Sequence, residues 1–527
     1  MSSEPRGANA PDLGLLSSTP VAYAAAAAVL VLTVLLAQLT SPLRGPAPVA
    51  FDTASSVTYF DRIVHGRILE TFVPTTPKPL LVFVEGPIWE LTHDWRTLTW
   101  VSVAVFAIGN GLATILGWRL AGAVAGLVTG IALASSSMLV WEALRGLATP
   151  WATVGWVVAA LAVTARPRRW ALAGSFLALA ALARVETVAI PAASALALVV
   201  LTVGPRAVRR PVPRGAWLIL LGFVALPIML VHDWALTRNP LYWAQVSGIY
   251  SAEFALSSGR AGLVRALELL AGVFLPYAAV ACVALVGMVA VARRSALVAF
   301  GSTALSVGAI GFILSAGGAG YVLSGRYAAP VVVTMCLGFG VALGLGSALV
   351  VARLGLAGPE RQDAPRSPAG AAIVAGCTIA IGLAVLVVTG NVAPFDRNVR
   401  KDAATARQLN TAAILAARPI RSALADPTMR NAASPRVLVP IGTWPMLALE
   451  ARLDLTDIVP IEPSAIDIAA GSPPPGKLML YLRSQDSGSH ATELAGDTTR
   501  KIGNVTLVPV ASYPKRGLWL VRLDGSP

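Results

Sequence analysis

A carboxylate and two polar side chains share one side of a short segment that follows the first apolar stretch of the chain. If residues 52–67 are helical, the spacing i, i+4, i+7 places Asp52, Ser56 and Tyr59 on one face. A carboxylate held in this way can act as a general base toward a hydroxyl group. Asp52 is therefore the candidate base, and Tyr59 is a candidate contact for the substrate. The alternative for Asp52 is a helix N-cap, a role that aspartate fills well.

A second aspartate in the same segment falls on the opposite side of the predicted helix. Asp61 lies nine residues after Asp52, about half a turn away at roughly 100° per residue. On that side it is expected to pair with His65. The two aspartates therefore do not form one acid–base pair, and Asp61 and His65 are kept as secondary candidates.

Lys78 is a single cation between two prolines, Pro77 and Pro79. Because proline restricts the backbone, a lysine held there can meet a phosphate as a point charge. The alternative is an interfacial lysine whose stem lies along apolar surface while its ammonium reaches water.

Other charged residues lie between or beside long apolar stretches. Arg184 and Glu186 interrupt one such stretch, which indicates either a functional site or an internal salt bridge. Arg326 and Tyr327 precede another, and the planar guanidinium suits a phosphate ligand, with an ordinary flanking anchor as the alternative. Arg238 lies in a segment that mixes ionisable and aromatic residues, most of which fit an interfacial aromatic belt.

The composition identifies the elements that must position these groups. Hydrophobic residues make up 56% of the 527 residues, charged residues 13%, and the mean hydropathy is +0.70. These values exclude an ordinary soluble domain and predict an α-helical polytopic membrane protein. The net charge of +14 comes largely from basic residues in short loops, so it indicates membrane topology and no nucleic-acid partner.

Apolar windows of about the length needed to span a bilayer recur along the chain. About eleven are predicted to be membrane helices. They are Val21–Leu39, Leu98–Trp118, Ala121–Trp141, Ala148–Ala165, Trp170–Ala183, Val188–Val203, Ala216–Val231, Ala266–Val291, Ala296–Leu314, Ala328–Val351 and Ala371–Thr389.

The positions of the arginines predict the orientation in a cell membrane. Short basic loops favour the cytoplasm, and the loops concerned are residues 166–169, 205–214, 293–294 and 353–366. With an odd number of spans, the N-terminus is cytoplasmic and the chain after the last span is extracytoplasmic. This orientation collects Asp52, Arg184 and Arg326 at the outer face of the membrane.

The chain is predicted to have three parts. Residues 1–20 are polar and are expected to be disordered in the cytoplasm. Residues 21–390 form the transmembrane domain, with a long first outer loop at 41–96. Residues 391–527 have higher charge density and form a small extracytoplasmic α/β domain, with a helix at Asp402–Arg421 and strands at Arg436–Pro440, Leu478–Leu482 and Val505–Val510.

The three cysteines give no sign of a disulfide or of a zinc site. Cys282, Cys336 and Cys377 lie in apolar stretches without a nearby Cys or His at metal-ligand spacing. Each is expected to be a small buried hydrophobic residue.

Together, the motifs LARVE, RNPLYW and SGRYAAP and an aspartate in the first outer loop resemble the GT-C glycosyltransferases, particularly actinobacterial forms. The resemblance covers Val21–Val350. Arg184 and Glu186 match a leucine-arginine-proline-glutamate motif of the family, although Val185 replaces its proline. The segment Arg238–Leu241 keeps only the second half of a Gly-Asp-Pro-Leu core.

The first outer loop matches the family less completely. Asp52 fits the catalytic carboxylate of the GT-C enzymes, but Thr53 replaces the second acid that many members carry beside it. No metal ligands are assigned, and the use of a divalent metal ion is left open.

This resemblance implies an inverting transfer of a sugar from a polyprenyl-phosphate donor to an envelope glycan or lipid acceptor at the outer face. Asp52 would be the base, and Arg184, Arg326 and Lys78 would face the phosphate. Glu186 would orient Arg184 or contact the acceptor, while Arg238, Tyr327 and Tyr59 complete the predicted substrate contacts.

Two other functions compete with sugar transfer. A transporter or lipid flippase would carry ionisable groups near the bilayer midplane, whereas here they gather at one rim. A non-catalytic GT-C-like scaffold of the cell envelope remains compatible with the missing second acid beside Asp52.

Overall fold

The computed structural model describes most of the chain. The described residues are 19–41, 46–66, 78–203, 212–242, 259–275, 278–319, 325–354, 368–388, 392–430, 436–440, 442–453, 457–461, 476–482, 498–502 and 505–525. Several predicted features lie outside them, namely residues 1–18 of the predicted disordered segment and parts of the basic loops 205–214 and 353–366.

Helices dominate the first 430 residues. They are α1 (Thr19–Thr40), α2 (Phe51–Val64), α3 (Pro79–Thr92), α4 (Trp95–Ala121), α5 (Ala123–Ser135), α6 (Ser137–Leu144), α7 (Thr149–Thr164), α8 (Trp170–Ala183), α9 (Ala189–Val203), α10 (Ala225–Thr237), α11 (Gly259–Phe274), α12 (Ala278–Arg294), α13 (Ala296–Gly318), α14 (Ala329–Arg353), α15 (Pro368–Val388), α16 (Arg397–Leu424) and α17 (Pro427–Arg430). Short 3-10 helices occupy Val185–Val188, Arg214–Val224, Gly325–Ala328, Ala393–Phe395 and Pro514–Arg516.

The remaining elements belong to one mixed sheet with a helix between its first two strands. They are β1 (Val437–Pro440), α18 (Trp444–Ala451), β2 (Ile458–Ile461), β3 (Lys477–Leu482), β4 (Arg500–Ile502), β5 (Val505–Tyr513) and β6 (Leu518–Gly525). The predicted helix and all three predicted strands of the C-terminal region correspond to α16, β1, β3 and β5.

The chain divides into two compact units. The first, called here the membrane unit, comprises Met1–Pro42, Thr75–Leu80 and Trp100–Arg400. The second, called here the sheet unit, comprises Leu43–Pro74, Leu81–Thr99 and Lys401–Pro527. Most of the long loop that was assigned from sequence to the transmembrane domain therefore packs with the C-terminal region.

The membrane unit is a bundle of apolar helices, as expected of a multi-pass membrane protein. Among the described residues, seven helices are long and apolar enough to cross a membrane, or up to nine if each of two bent pairs is one span. Two further apolar helices, α5 and α8, are shorter. The count of about eleven spans stays a prediction.

Two windows that were predicted as single straight spans each contain a break. The window Ala121–Trp141 is divided at Ser136, whose extended backbone separates α5 from α6. The window Ala266–Val291 contains α11 and α12, whose axes differ by 83°. Hydropathy averaged over a window does not report backbone direction, so neither break could be read from it.

Close packing in the membrane unit depends on residues without side chains. A Cβ atom at Gly287 of α12 would collide with the backbone carbonyl of Gly338 in α14. A Cβ atom at Gly340 would likewise collide with the Thr129 hydroxyl of α5. Helix backbones can approach this closely only where small residues face each other.

The sheet unit is built on a six-stranded sheet with the order β2-β1-β3-β6-β5-β4. Strand β1 pairs parallel with β2 and with β3, and the other neighbours are antiparallel. Arg436 and Asp457 join the starts of β1 and β2 through two hydrogen bonds of 2.9 and 2.6 Å between guanidinium and carboxylate. Such a bidentate pair fixes the register of the short parallel strands.

Segments of the first outer loop complete the hydrophobic core of the sheet unit. Val57 of α2 is fully buried. Together with the buried side chains of Trp89, Trp95 and Leu98, it belongs to a hydrophobic cluster that also contains residues of α16, α18, β1, β3 and β6. The Thr58 hydroxyl donates to the backbone carbonyl of Pro445 at 3.1 Å. The outer loop is therefore part of this domain's interior and not a linker on its surface.

A buried amide ties the outer loop to α16. Asn410 is 4% exposed, and its side-chain nitrogen donates to the backbone carbonyls of Ala47 at 2.7 Å and Val49 at 3.1 Å. We expect Asn410→Leu to lower the free energy of unfolding of the sheet unit by about 2 kcal/mol or more, because two buried carbonyls lose their donor. Urea unfolding, with limited proteolysis as the readout, would measure this change in the free energy of unfolding.

The matched control for that measurement is Gln408→Leu on the same helix. Gln408 is exposed, and its amide donates to the backbone of Arg516 at 3.2 Å near the surface. We expect a change of no more than about 0.5 kcal/mol for this control. Equal stability of the Asn410→Leu and wild-type proteins would show that the outer loop is not held by α16.

The burial expected for the three cysteines holds for one of them. Cys336 is buried in α14, whereas Cys282 of α12 and Cys377 of α15 are exposed. The exposed pair lies on apolar helices, so the sequence pattern identified the hydrophobic environment but not the direction of the side chains.

Candidate functional site

A sharp turn in the membrane unit brings a carboxylate and a hydroxyl together. Helices α6 and α7 are bent by 115° relative to each other, and Gly146 between them has a φ of 72°, a left-handed conformation that favours glycine. Glu142 at the end of α6 and Thr149 at the start of α7 are each 3% exposed. The Thr149 hydroxyl donates to Oε2 of Glu142 at 2.9 Å.

A break between α8 and α9 presents an arginine to the same place. Arg184 has an extended backbone between the end of α8 and the 3-10 helix Val185–Val188. Its amide donates to the carbonyl of Ala180, and its own carbonyl accepts from the hydroxyl of Thr187 at 2.7 Å. The backbone of Arg184 is thereby fixed on both sides, and its side chain is 7% exposed.

Arg184 is the centre of a polar network. Its Nη1 donates to Thr149 Oγ1 at 2.6 Å and to the backbone carbonyl of Arg326 at 3.3 Å. Its Nη2 donates to Oε1 of Glu186 at 3.1 Å. These bonds use three of the five N–H donors of a guanidinium. The internal salt bridge weighed from sequence is therefore present, but it is one part of a larger arrangement.

Two further cations belong to this arrangement, called here the Arg184 network. Arg326 lies in the 3-10 helix Gly325–Ala328, and its guanidinium lies 5.3 Å from the ring centre of Tyr327. Its charge repels that of Arg184, and the ammonium of Lys78 attracts the carboxylate of Glu186. Burial near like charge is costly, so this set of cations is suited to binding an anion.

Tyr327 is held by packing as well as by the cation. Its ring lies 5.0 Å from that of Phe312 in an edge-to-face contact, and it packs on a small buried cluster that includes Leu270 and Ile313. The aromatic ring thus forms a platform for Arg326. A direct contact of Tyr327 with substrate stays a prediction.

An apolar cleft runs along the helices that carry the Arg184 network. It is a small, partly open space among α7, α8, α9, α13 and the 3-10 helix Arg214–Val224. Trp156 and Leu177 line it. Trp156 lies seven residues after Thr149, and Leu177 lies seven residues before Arg184. Seven residues along a helix correspond to roughly 10 Å. Ser194 is its polar lining residue among hydrophobic ones.

The sheet unit contains the predicted base. Asp52 lies in the first turn of α2, where the helix dipole favours a carboxylate. The N-cap of this helix is Ala50, so the N-cap alternative for Asp52 is wrong. The Ser56 hydroxyl donates to the backbone carbonyl of Asp52 at 3.0 Å. The side chain of Tyr59 is buried, with only 2% exposed.

Asp61 and His65 pair as their spacing predicted. His65 Nδ1 lies 3.2 Å from a carboxylate oxygen of Asp61, and the histidine side chain is 52% exposed. The helix therefore separates this pair from Asp52, as the half-turn offset requires.

Arg238 lies at the C-terminal end of α10. It is exposed, has a φ of 61°, and stacks its guanidinium 5.3 Å from the ring centre of Trp234. On the same helix, Asp233 is fully buried, and His232 Nδ1 lies 3.0 Å from its carboxylate. Substrate binding by Arg238 stays a prediction, and Trp243 of its motif lies outside the described residues.

Sequence reasoning missed two members of the Arg184 network, Glu142 and Thr149. Glu142 carries a recognisable signal, because it is an isolated carboxylate at the end of a long apolar run. Thr149 carries none, since a threonine before a proline is an ordinary helix start.

The described part of the chain contains no group of three or more His, Cys, Asp or Glu side chains that could hold a metal ion. Next to Asp52 stands Thr53, whose neutral hydroxyl does not supply the second carboxylate of an oxygen-ligand site. Arg184, Arg326 and Lys78, all in the membrane unit, are cations that could bind a phosphate.

No protein-family model matches the chain, and no curated protein matches it. Among solved structures, the chain is similar to ArnT from Cupriavidus metallidurans bound to undecaprenyl phosphate, with 16% identity, coverage of 94% of this chain and 97% of that chain, and a TM-score of 0.52. A second similarity is to the Archaeoglobus fulgidus oligosaccharyltransferase, with 12% identity, coverage of 81% and 64%, and a TM-score of 0.43. The first of these similarities shows that the chain has the fold of ArnT, the fold expected from the sequence.

Proposed function

We propose that this chain, with its GT-C fold, is a membrane glycosyltransferase that moves a sugar from a polyprenyl-phosphate donor to an envelope glycan or lipid acceptor. The transfer takes place at the outer face of the cell membrane, with the N-terminus cytoplasmic and the sheet unit extracytoplasmic. The reaction inverts the configuration of the anomeric carbon.

The observation that carries this proposal is the Arg184 network. The three cations Arg184, Arg326 and Lys78 outnumber the two carboxylates Glu142 and Glu186, so the set has a surplus positive charge. A guanidinium fork and an ammonium are the groups that proteins use to bind phosphate. The ArnT structure of the same fold was solved with undecaprenyl phosphate, which supports a lipid phosphate as the anion.

The apolar cleft supports a lipid-linked donor over a soluble one. It lies on the same helices, α7 and α8, that carry Thr149 and Arg184. A polyprenyl chain bound there would place its phosphate toward the cations while its isoprene units replace water against Trp156 and Leu177.

In the proposed reaction, the Asp52 carboxylate accepts the proton of the acceptor hydroxyl. The hydroxyl oxygen then forms a bond to the anomeric carbon as the bond between that carbon and the phosphate oxygen breaks. Polyprenyl phosphate leaves with one additional negative charge. Arg184, Arg326 and Lys78 stabilise this charge as it develops, which lowers the barrier. A single displacement of this kind inverts the anomeric centre.

Reconstitution tests the proposal directly. The purified protein in liposomes is supplied with undecaprenyl phosphates that carry labelled pentoses or hexoses, and with acceptor membranes from cells that lack the protein. We expect labelled sugar to appear in a new glycosidic bond for one donor. If labelled lipid crosses the bilayer and no glycosidic bond forms, the protein is a flippase and the proposal is wrong.

A further inference from the structure

Glu142 is a buried carboxylate that the proposed reaction does not use. It is 3% exposed at the end of α6, and Leu144, Leu147 and Ala143 around it are also buried. An ionised carboxylate in such a place is costly unless it is paired or hydrogen-bonded. Its described partner is the hydroxyl of Thr149, so this hydroxyl decides what the carboxylate does.

The hydroxyl of Thr149 has one hydrogen and two neighbours that compete for it. Arg184 Nη1 has only hydrogens to offer, so at 2.6 Å Thr149 Oγ1 accepts. The single hydroxyl hydrogen must then go to Glu142 Oε2 at 2.9 Å. The direction of every bond from Glu142 to Arg184 is thereby fixed, and the carboxylate orients the hydroxyl that holds the guanidinium.

Arg184 is restrained from three directions by this arrangement. Thr149 and the carbonyl of Arg326 hold Nη1, and Glu186 holds Nη2. Since the guanidinium is planar, three bonds to its two terminal nitrogens fix the plane and the direction of its other N–H donors. A fixed fork loses less conformational entropy on meeting a phosphate than a mobile one does.

Because the hydroxyl lies between Glu142 and Arg184, part of the Arg184 guanidinium stays available to a ligand. A carboxylate in direct contact with each terminal nitrogen would occupy both edges of the fork as a phosphate does. Glu142 is linked to Arg184 through the neutral hydroxyl of Thr149. It therefore attracts the guanidinium without taking the place of a ligand oxygen.

We propose that Glu142 and Thr149 are positioning residues that orient Arg184 for the phosphate of the lipid donor. This inference rests on the proposed function for its ligand, but the network itself exists without the ligand. The turn at Gly146 serves this purpose, since it brings residues that are seven apart in sequence into hydrogen-bond contact.

Three substitutions test the inference with undecaprenyl phosphate as the probe. Thr149→Val removes the hydroxyl at nearly constant volume, and we expect it to weaken binding of undecaprenyl phosphate about tenfold. Thr149→Ser restores the hydroxyl and is expected to bind within about twofold of the wild-type protein. Glu142→Gln combined with Thr149→Val is expected to bind no more weakly than Thr149→Val alone, because both changes act on one chain of bonds.

Several results would overturn the inference. The inference is wrong if Thr149→Val binds undecaprenyl phosphate like the wild-type protein, or if Thr149→Ser binds it as poorly as Thr149→Val does. In a third case, Glu142→Gln abolishes transfer and leaves lipid binding intact, which would make Glu142 a catalytic residue.

A ligand-free measurement separates this inference from the proposed function. The melting temperatures of Thr149→Val, Arg184→Gln and the double variant form a double-mutant cycle without lipid. Non-additive shifts with no binding of undecaprenyl phosphate by the wild-type protein would refute the proposed function and retain the network. Additive shifts would refute the network whatever the lipid does.

Discussion

Replacement of Asp52 by asparagine is expected to reduce sugar transfer by about 10²–10⁴-fold, the usual contribution of a positioned general base. Asparagine has nearly the same shape but cannot accept the acceptor's proton. Binding of undecaprenyl phosphate should be unchanged, because the cations of the Arg184 network are not altered. Initial rates of transfer and equilibrium lipid binding, measured on the same preparation, check both parts.

The control for this variant is Asp402→Asn, which removes an exposed carboxylate from α16 of the same unit. It should transfer sugar at the wild-type rate. Full activity of Asp52→Asn together with loss of activity in Asp61→Asn would move the role of base to Asp61, which lies on the other side of α2 and pairs with His65.

Arg184→Gln is expected to lower transfer by about 10²–10³-fold, the effect of removing one strong donor from a developing oxyanion. Unlike the change at Asp52, it should also weaken binding of undecaprenyl phosphate by at least tenfold. Arg184→Lys should recover little, because an ammonium cannot reach Thr149 and Glu186 at the same time with the geometry of a planar fork. Transfer rates and lipid dissociation constants measure these effects.

Arg184→Gln also leaves the buried carboxylate of Glu142 and the partly buried carboxylate of Glu186 without their shared cation, so protein stability must be followed. Arg293→Gln is the matched control, because it removes an exposed arginine from the last turn of α12. It should retain the wild-type rate, lipid affinity and melting temperature. If Arg184→Gln keeps its melting temperature and binds the lipid normally, the phosphate is bound elsewhere.

The sequence predicted features that depend on local spacing. The helical period placed Asp52 and Asp61 on different faces of α2, and the paired charges of Arg184 and Glu186 stood out against their apolar surroundings. Alternation and run length likewise located β1, β3 and β5. Each of these signals is contained within a few residues, so no knowledge of distant contacts was needed.

Features that depend on tertiary contacts could not be predicted. The link from Glu142 to Arg184 requires the bend at Gly146, the break at Arg184 and the approach of α7 to α8. The charges at Arg184 and Glu186 marked the break in hydropathy, but neither the bend nor the approach of the two helices leaves such a pattern. For the same reason, the sequence did not show that the outer loop belongs to the sheet unit. The apolar face of α2 does not identify the residues that cover it.

The contacts of α2 have a consequence for biosynthesis. Thr58 and Arg62 donate to the backbones of Pro445 and Leu453, which are made 387 and 391 residues later. The ribosome therefore completes the whole bundle before the partner of α2 exists. During that interval the apolar side of α2 needs a chaperone or the bilayer surface to cover it. A chain that ends before Pro445 would leave an inserted bundle in which this side of α2 has lost its partner.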